Sequence, residues 1–396
     1  MTDLTSLRSD GAVQVKGWCP GTLRPLAASD GLVIRIRPPA GRLSMAQAQG
    51  IAALARRYAN PMLELTNRAN LQMRGVDPGR HAELLDALCT LGLVDEDVSS
   101  EARRNVQVNP LWTEGDVTPH LALQLGELLA GRDVPELPAK FGFVVDTGTA
   151  PCMRNTHADI RLERHVDGVL VYADGADGGL VVAPWAAPQH ALALSRWFLD
   201  AGGAPAGRGR MAALVRQRGL PPEWRPTPVP DRALPAPGPG PQLAGQIVGL
   251  VFGLVQAETL AALGACGALR LTPWRSLLVE SASRLPTCAE LITDPGDARL
   301  RVAACTGAPG CAQARGTTRD LALALAPSVA PGHLLHVSGC PKGCAHPKFA
   351  TTVVATDHGW DFIRRGTAAS LPDYHGLDRA ALEQRLREET AHVAPL

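Results

Sequence analysis

Apolar positions run in a strand-like pattern through DGLVIRIRPP (residues 30–39), break at a turn holding Gly41, and recur at amphipathic helical spacing from about Ser44 to Tyr58. A strand pattern returns in ELTNRANLQMRGV (64–76). The same order repeats in 244–281: an apolar strand, a helix near Ala257–Ala265, a strand through Leu269–Thr272 and another at Ser276–Val279. This recurrence predicts a diverged internal duplication. Each repeat is followed by a longer segment of short strands and helices, at roughly 90–220 and 290–370. Between the halves, residues 221–241 contain nine prolines, which excludes a helix or a central strand and reads as a linker. The expected division is therefore 18–80, 90–220, a linker at 221–241, 242–285 and 290–370.

Composition narrows the class. With 396 residues, 45% of them apolar and 19% charged, the chain is globular and long enough for several cores. No basic stretch followed by an apolar one opens the sequence, and the longest apolar runs, such as IVGLVFGLV, fall well short of the ~20 residues that span a bilayer. A soluble, cytoplasmic protein without membrane partners is expected. A net charge of +1, 4% aromatics and the lack of a basic run give no basis for nucleic-acid binding. Only Lys16, Lys140, Lys342 and Lys348 are lysines, and the bias to Arg, Ala, Gly and Pro is that of a GC-rich genome.

Nine cysteines in a reducing compartment are expected to be free or metal-bound. Four of them are patterned. Cys305 and Cys311 are separated by five residues, Cys340 and Cys344 by three, and 28 residues lie between the pairs. Both pairs follow predicted strands, LRVAAC and HLLHVSGC, and sit in Gly/Pro-rich loops whose free N–H groups can bond sulfur. Four thiolates are the ligand number of a 4Fe-4S cluster. Structural zinc fits the second spacing but not the first, and unligated loop thiols remain a third reading. Cys89, Cys266 and Cys288 read as small core residues. Cys19 and Cys152 lie in loop-like settings without a spaced partner.

The two cysteine spacings resemble the cluster motif of the sirohaem-dependent sulfite and nitrite reductases. Three other stretches agree: ELTNRANLQMRGV resembles the family's Thr-x-Arg-x-x-x-Gln strand, RIRPPAG (35–41) its Arg-x-Pro-x-Gly turn, and RRNV (103–106) its Asn-Arg-Asn-Val. The likeness covers nearly the whole chain. It implies an α+β fold of duplicated architecture, with 18–80 and 242–285 as paired ferredoxin-like half-domains and 90–220 and 290–370 as α/β catalytic lobes, the second holding the cluster on Cys305, Cys311, Cys340 and Cys344. Within this superfamily, GCPKGCAHP and the opening GWCPGTLRPLAASDGLVIRIRP resemble the precorrin-3B synthases of aerobic cobalamin biosynthesis. A departure agrees: the reductases carry Lys-x-Lys where LPAKFGF keeps Lys140 and has Gly142.

That likeness implies an oxidoreductase, a monooxygenase that hydroxylates precorrin-3A with dioxygen and forms a lactone. The substrate would occupy the place sirohaem takes in the reductases, so no sirohaem is expected. Arg37, Arg68, Arg104 and Lys140 become the candidates for binding its carboxylates, for which arginine's fork is suited. A mononuclear non-haem iron is also implied, because a cubane capped by four thiolates leaves no open site for dioxygen. Its candidate ligands are His346, or His157 with Asp159. His346 and Lys342 are the candidate catalytic residues, Lys342 through its charge in the cysteine loop. No Gly-x-Gly-x-x-Gly opens a helix after a strand, so electrons, ultimately from NADH, are expected through a partner reductase. The alternatives are a sirohaem sulfite or nitrite reductase, in which Cys344 would bridge cluster and haem iron, and a non-catalytic electron-transfer or tetrapyrrole-carrier protein.

Overall fold

The computed structural model describes residues 19–148, 151–231, 233–282 and 284–391. They form two compact units, a larger one of residues 19–27 and 31–291 and a smaller one of 28–30 and 292–391. Trp18 and the residues before it, part of the opening motif, lie outside the described residues. Among the described residues, no helix is long and apolar enough to cross a membrane.

The larger unit contains the two repeats. In the first, Gly31–Ile36, Leu71–Val76 and Met62–Leu65 form an antiparallel sheet, and in the second, Gly245–Leu250, Ser276–Glu280 and Leu269–Leu271 do the same. The helix Met45–Tyr58 starts at a capping box, with Gln47 N–H donating to Ser44 Oγ and Gln47 Oε1 accepting from Ser44 N–H. Its buried stripe is Ala48, Ile51, Ala52, Ala55 and Tyr58, spaced so that one face meets the core. The second repeat's helix is Ala257–Cys266. A Cβ on Gly264 would fall 2.7 Å from Ala48 Cβ, so the two helices can touch there only without a side chain.

Each repeat also lends a strand to the other. Arg42–Leu43, just before the first helix, pairs with Leu269–Arg270 of the second sheet, and Leu254–Gln256, just before the second helix, pairs with Met62–Glu64 of the first. Arg42 and Arg270 both donate to Glu280, at 2.8 and 2.6 Å, which ties the exchanged strand to its host sheet. The exchange makes the two half-domains one body, with a single apolar core drawn from both repeats.

The first lobe is a mixed sheet ordered Thr227–Pro228, Gly178–Val182, Gly168–Ala173, Ile160–His165, Phe143–Asp146, Val106–Val108, the last three parallel. Helices Thr118–Ala130 and Ala187–Asp200 bury Phe141, Phe143 and Phe198 against it. The proline-rich stretch is not a free tether: Thr227–Pro228 forms the edge strand, where a residue without N–H is tolerated, and Val229 N–H donates to Asp177 O at 2.9 Å.

The smaller unit repeats the lobe. Strands Val302–Ala304, Leu335–Ser338 and Ala350–Thr356 are parallel, Gly359–Gly366 and Tyr374–Leu377 add antiparallel pairs, and helices Thr318–Leu325 and Arg379–Ala391 occupy the same places in the element order.

Candidate active site

The parallel register Val302↔Leu335 to Ala304↔Val337 brings two strand ends side by side, so Cys305 and the Cys340–Cys344 loop leave the same edge of the smaller unit's sheet. The loops are locked together. Arg315 N–H donates to Gly339 O at 2.9 Å, and Gly339 N–H donates to Cys305 Sγ at 3.2 Å. A Cβ on Gly339 would lie 2.7 Å from Ala314 Cβ, and Gly343, at φ +62, takes the left-handed turn that returns the chain to Cys344. Cys311 N–H closes onto Gly307 O at 2.9 Å. Burial pushes the Cys340 thiol up, and the charges of Cys305 and Cys311 add to it against the pull of Lys342. The direction is the same for Cys344, the most exposed of the four.

Four thiols from two glycine-rich loops, with an N–H already aimed at one sulfur, suit a cubane, whose corners spread its ligands wider than a single ion does. Among the described residues, no three His, Cys, Asp or Glu side chains are arranged to hold a metal ion. For mononuclear iron the candidates are therefore not assembled. Asp159 is fully buried and committed elsewhere, accepting from Gly142 N–H at 3.0 Å, Met211 N–H at 2.8 Å and Arg210 Nε at 2.9 Å. His346 packs edge-on against the buried His336, ring centroids 6.0 Å apart.

In the larger unit, the four candidate cations divide. Arg37 is 8% exposed and donates to Glu101 O and Pro20 O, and Arg104 makes a two-pronged pair with Asp95 at 2.6 and 2.8 Å while donating to Arg37 O. Arg104 is thus a fastener of the polypeptide, and Arg37 fastens through its Nη atoms while its buried Nε has no hydrogen-bond partner. Arg68 and Lys140 are brought together: Arg68 Nη2 donates to Lys140 O at 3.0 Å, and the Lys140 side chain is exposed. Arg68 Nη1 is buried without a hydrogen-bond partner.

Comparison with known proteins gives the same architecture. The Nitrite/Sulfite reductase ferredoxin-like half domain matches residues 24–91. Over 92% of this chain and 87% of the relative, the sequence is 30% identical to a precorrin-3B synthase from a Sinorhizobium species. The chain belongs to the precorrin-3B synthase family. A ferredoxin–nitrite reductase of Synechococcus elongatus is 27% identical over 80% of this chain and 74% of its own length. The fold also matches Mycobacterium tuberculosis NirA, with a TM-score of 0.63 and 17% identity over 92% of this chain and 81% of that one. The duplicated sulfite/nitrite reductase architecture is thus this family member's fold, and its homologues are oxidoreductases.

The remaining cysteines correct the sequence reading in part. Cys89 and Cys266 are exposed, and Cys288 is half-buried against the core. Cys152 is buried, and desolvation followed by the Asp146 charge pushes its thiol up to about 12, which makes it an inert packing residue.

Sequence reasoning missed Asp146. In the first lobe it stands where the cysteine loop begins in the second, at the end of the middle parallel strand. Its carboxylate accepts from Cys152 N–H at 2.9 Å, Met153 N–H at 2.8 Å and Asn109 Nδ2 at 2.6 Å, so a carboxylate organises the loop that thiols organise in the other lobe. Burial pushes its pKa up to about 6 from 3.8. A carboxyl raised in the folded state stabilises most when protonated: its contribution is full below about 3.8 and lost as pH rises through about 6. The shift corresponds to about 3 kcal/mol. Asp146→Asn is expected to flatten the stability profile across this window, read from urea midpoints between pH 4 and 7. An unchanged slope would remove the assignment.

Proposed function

We propose that this family member acts as a precorrin-3B synthase, hydroxylating precorrin-3A with dioxygen and forming a lactone in aerobic cobalamin biosynthesis. The observation that carries the reading is the full-length likeness to a named precorrin-3B synthase, joined to Gly142 at a position where the reductases hold a lysine. One oxygen atom of O2 would enter the macrocycle and the other leave as water, with two electrons and two protons supplied from NADH through a partner reductase. Cys305, Cys311, Cys340 and Cys344 would hold a 4Fe-4S cluster, which supplies one-electron transfer when bound. Arg68 and Lys140 would bind and orient the substrate's carboxylates, the arginine by paired donors and the lysine as a mobile point charge. Mononuclear iron has no assembled ligand set among the described residues, and no step is assigned to it. The protein would work in the cytoplasm.

The rival is a sirohaem-dependent reductase, favoured by the likeness to the ferredoxin–nitrite reductase. Reducing nitrite or sulfite needs several cations around the bound anion. Gly142 removes one of them, Arg104 is committed to Asp95, and Arg37 spends its Nη atoms on backbone carbonyls, its buried Nε alone having no hydrogen-bond partner.

Absorption and EPR spectra of anaerobically purified protein, with iron, zinc and acid-labile sulfide assayed on the same sample, separate the two. Cluster signals without sirohaem bands, together with oxygen uptake on adding precorrin-3A, are expected. Sirohaem bands coupled to the cluster would transfer the chain to the reductases.

A further inference from the structure

The two repeats close a hairpin with the same turn. Thr66 N–H donates to Asn70 O at 2.9 Å and Arg68 N–H to Thr66 Oγ1 at 3.3 Å, while Thr272 N–H donates to Ser276 O at 3.3 Å and Trp274 N–H to Thr272 Oγ1 at 3.2 Å. Ala69 and Arg275, one residue further on, both have positive φ, 53° and 57°. The duplication therefore puts Trp274 where the first repeat has Arg68, and Pro273 where it has Asn67. An indole in place of a guanidinium changes what the neighbouring space can hold. Trp274 packs against Cys152 and Met153 of the first lobe, and beside it lies a cavity of about 170 Å³.

The turn residues Asn67 and Pro273 line this cavity from the half-domains, and Asn155, Thr156 and His157 line it from the first lobe. Its walls are fixed by the protein's own hydrogen bonds. Asp146 holds the start of the loop through Cys152 N–H and Met153 N–H, Thr156 Oγ1 donates to Met153 O at 2.6 Å, and His157 O accepts from Gln107 Nε2 at 2.5 Å. The proline-rich stretch adds Ala236, tied down by Leu234 N–H on Pro151 O at 2.7 Å and by Arg154 on Pro230 O. Among the described residues, no Asp, Glu, Lys or Arg lines the space, and the Cys152 thiol, pushed up to about 12, stays neutral. An ion entering here would lose water and gain no countercharge. The side-chain amides of Asn67 and Asn155 make no hydrogen bond among the described residues, and each offers two donors and an acceptor. A cavity of about 150 Å³ holds one benzene ring, so this volume suits a single ring with a short substituent.

We infer that this cavity is a binding site for a neutral planar ring bearing a carboxamide, its face against Trp274 and Pro273 and its amide paired with Asn67 and Asn155. A carboxamide matches a carboxamide donor for acceptor, and an aromatic ring matches the indole face. Uncharged walls set this site apart from the Arg68 and Lys140 pair, which suits carboxylates, so the inference stands independently of the tetrapyrrole reading. It also gives the proline-rich stretch a task, as one wall of a site.

The test is a ligand-observed NMR titration of the full chain with nicotinamide and with nicotinate, its anionic isostere. Nicotinamide is expected to bind, and nicotinate at least about tenfold more weakly, because a carboxylate has no donor and finds no cation here. Asn67→Ala and Asn155→Ala, both at exposed positions, are each expected to weaken nicotinamide binding about tenfold with the thermal midpoint unchanged. Trp274→Leu should weaken it more than Trp274→Phe, which keeps an aromatic face. No nicotinamide binding by the unmodified chain, or equal binding of nicotinate, would overturn the neutral-amide assignment. Nicotinamide binding that none of these variants alters would place the probe elsewhere and overturn the site. Neither failure touches the precorrin reading, which the cluster spectra and oxygen uptake decide separately.

Discussion

Cys344→Ala is expected to strip the iron–sulfur cluster, taking iron and acid-labile sulfide from about four each per chain to near zero. Each corner of a cubane needs its own thiolate, and the loop offers no substitute. Among the described residues no three His, Cys, Asp or Glu side chains are arranged to hold a metal ion, so no alternative ligand set stands ready to replace a lost thiolate. Because the two cysteine loops are fastened to each other by Arg315 N–H on Gly339 O and Gly339 N–H on Cys305 Sγ, the apoprotein should keep its strands and lose only the centre. Circular dichroism separates loss of cluster from loss of fold. Cys152→Ser is the control: that thiol is buried in the other lobe and held protonated, so the variant should retain its full iron. Full cluster absorbance in Cys344→Ala would overturn the four-ligand assignment, and one zinc per chain in place of iron and sulfide would redirect it to a structural metal.

What the sequence made legible was whatever is local. The helix from Ser44 to Tyr58 announces itself by period, and the cysteine loops by glycine and proline following strand-like runs. What it hid depends on the third dimension. Arg42–Leu43 and Leu254–Gln256 are too short to show a strand period, and their exchange between half-domains is decided by packing partners between 190 and 228 residues away. Cys89 looked apolar-faced because its neighbours are, but the core face of His81–Thr90 is set by Leu84 and Leu88, one turn apart, and Cys89 is turned off it. Motif matching found Arg37 and Arg104 and could not distinguish an arginine that holds a ligand from one that holds the chain, since both are conspicuous cations in loops and strand ends. Asp146 gave no signal at all, because a carboxylate becomes a loop organiser only through the N–H groups that fold around it.

Arg68→Ala is expected to raise the dissociation constant for precorrin-3A by roughly ten- to a hundredfold, the value of a charged hydrogen bond of about 1.5–3 kcal/mol. Iron and sulfide should stay at their unmodified levels, because Arg68 belongs to the larger unit and the four cysteines to the smaller. The pair of results matters more than either alone: weaker binding with an intact cluster separates substrate recognition from redox chemistry in this chain. Arg68→Lys should recover only part of the loss, since an ammonium restores the charge but cannot reproduce the planar fork that donates to Lys140 O while presenting a second nitrogen. If Arg68→Ala leaves the dissociation constant unchanged, the buried guanidinium is another fastener like Arg37, and the substrate's carboxylates must be held by other cations.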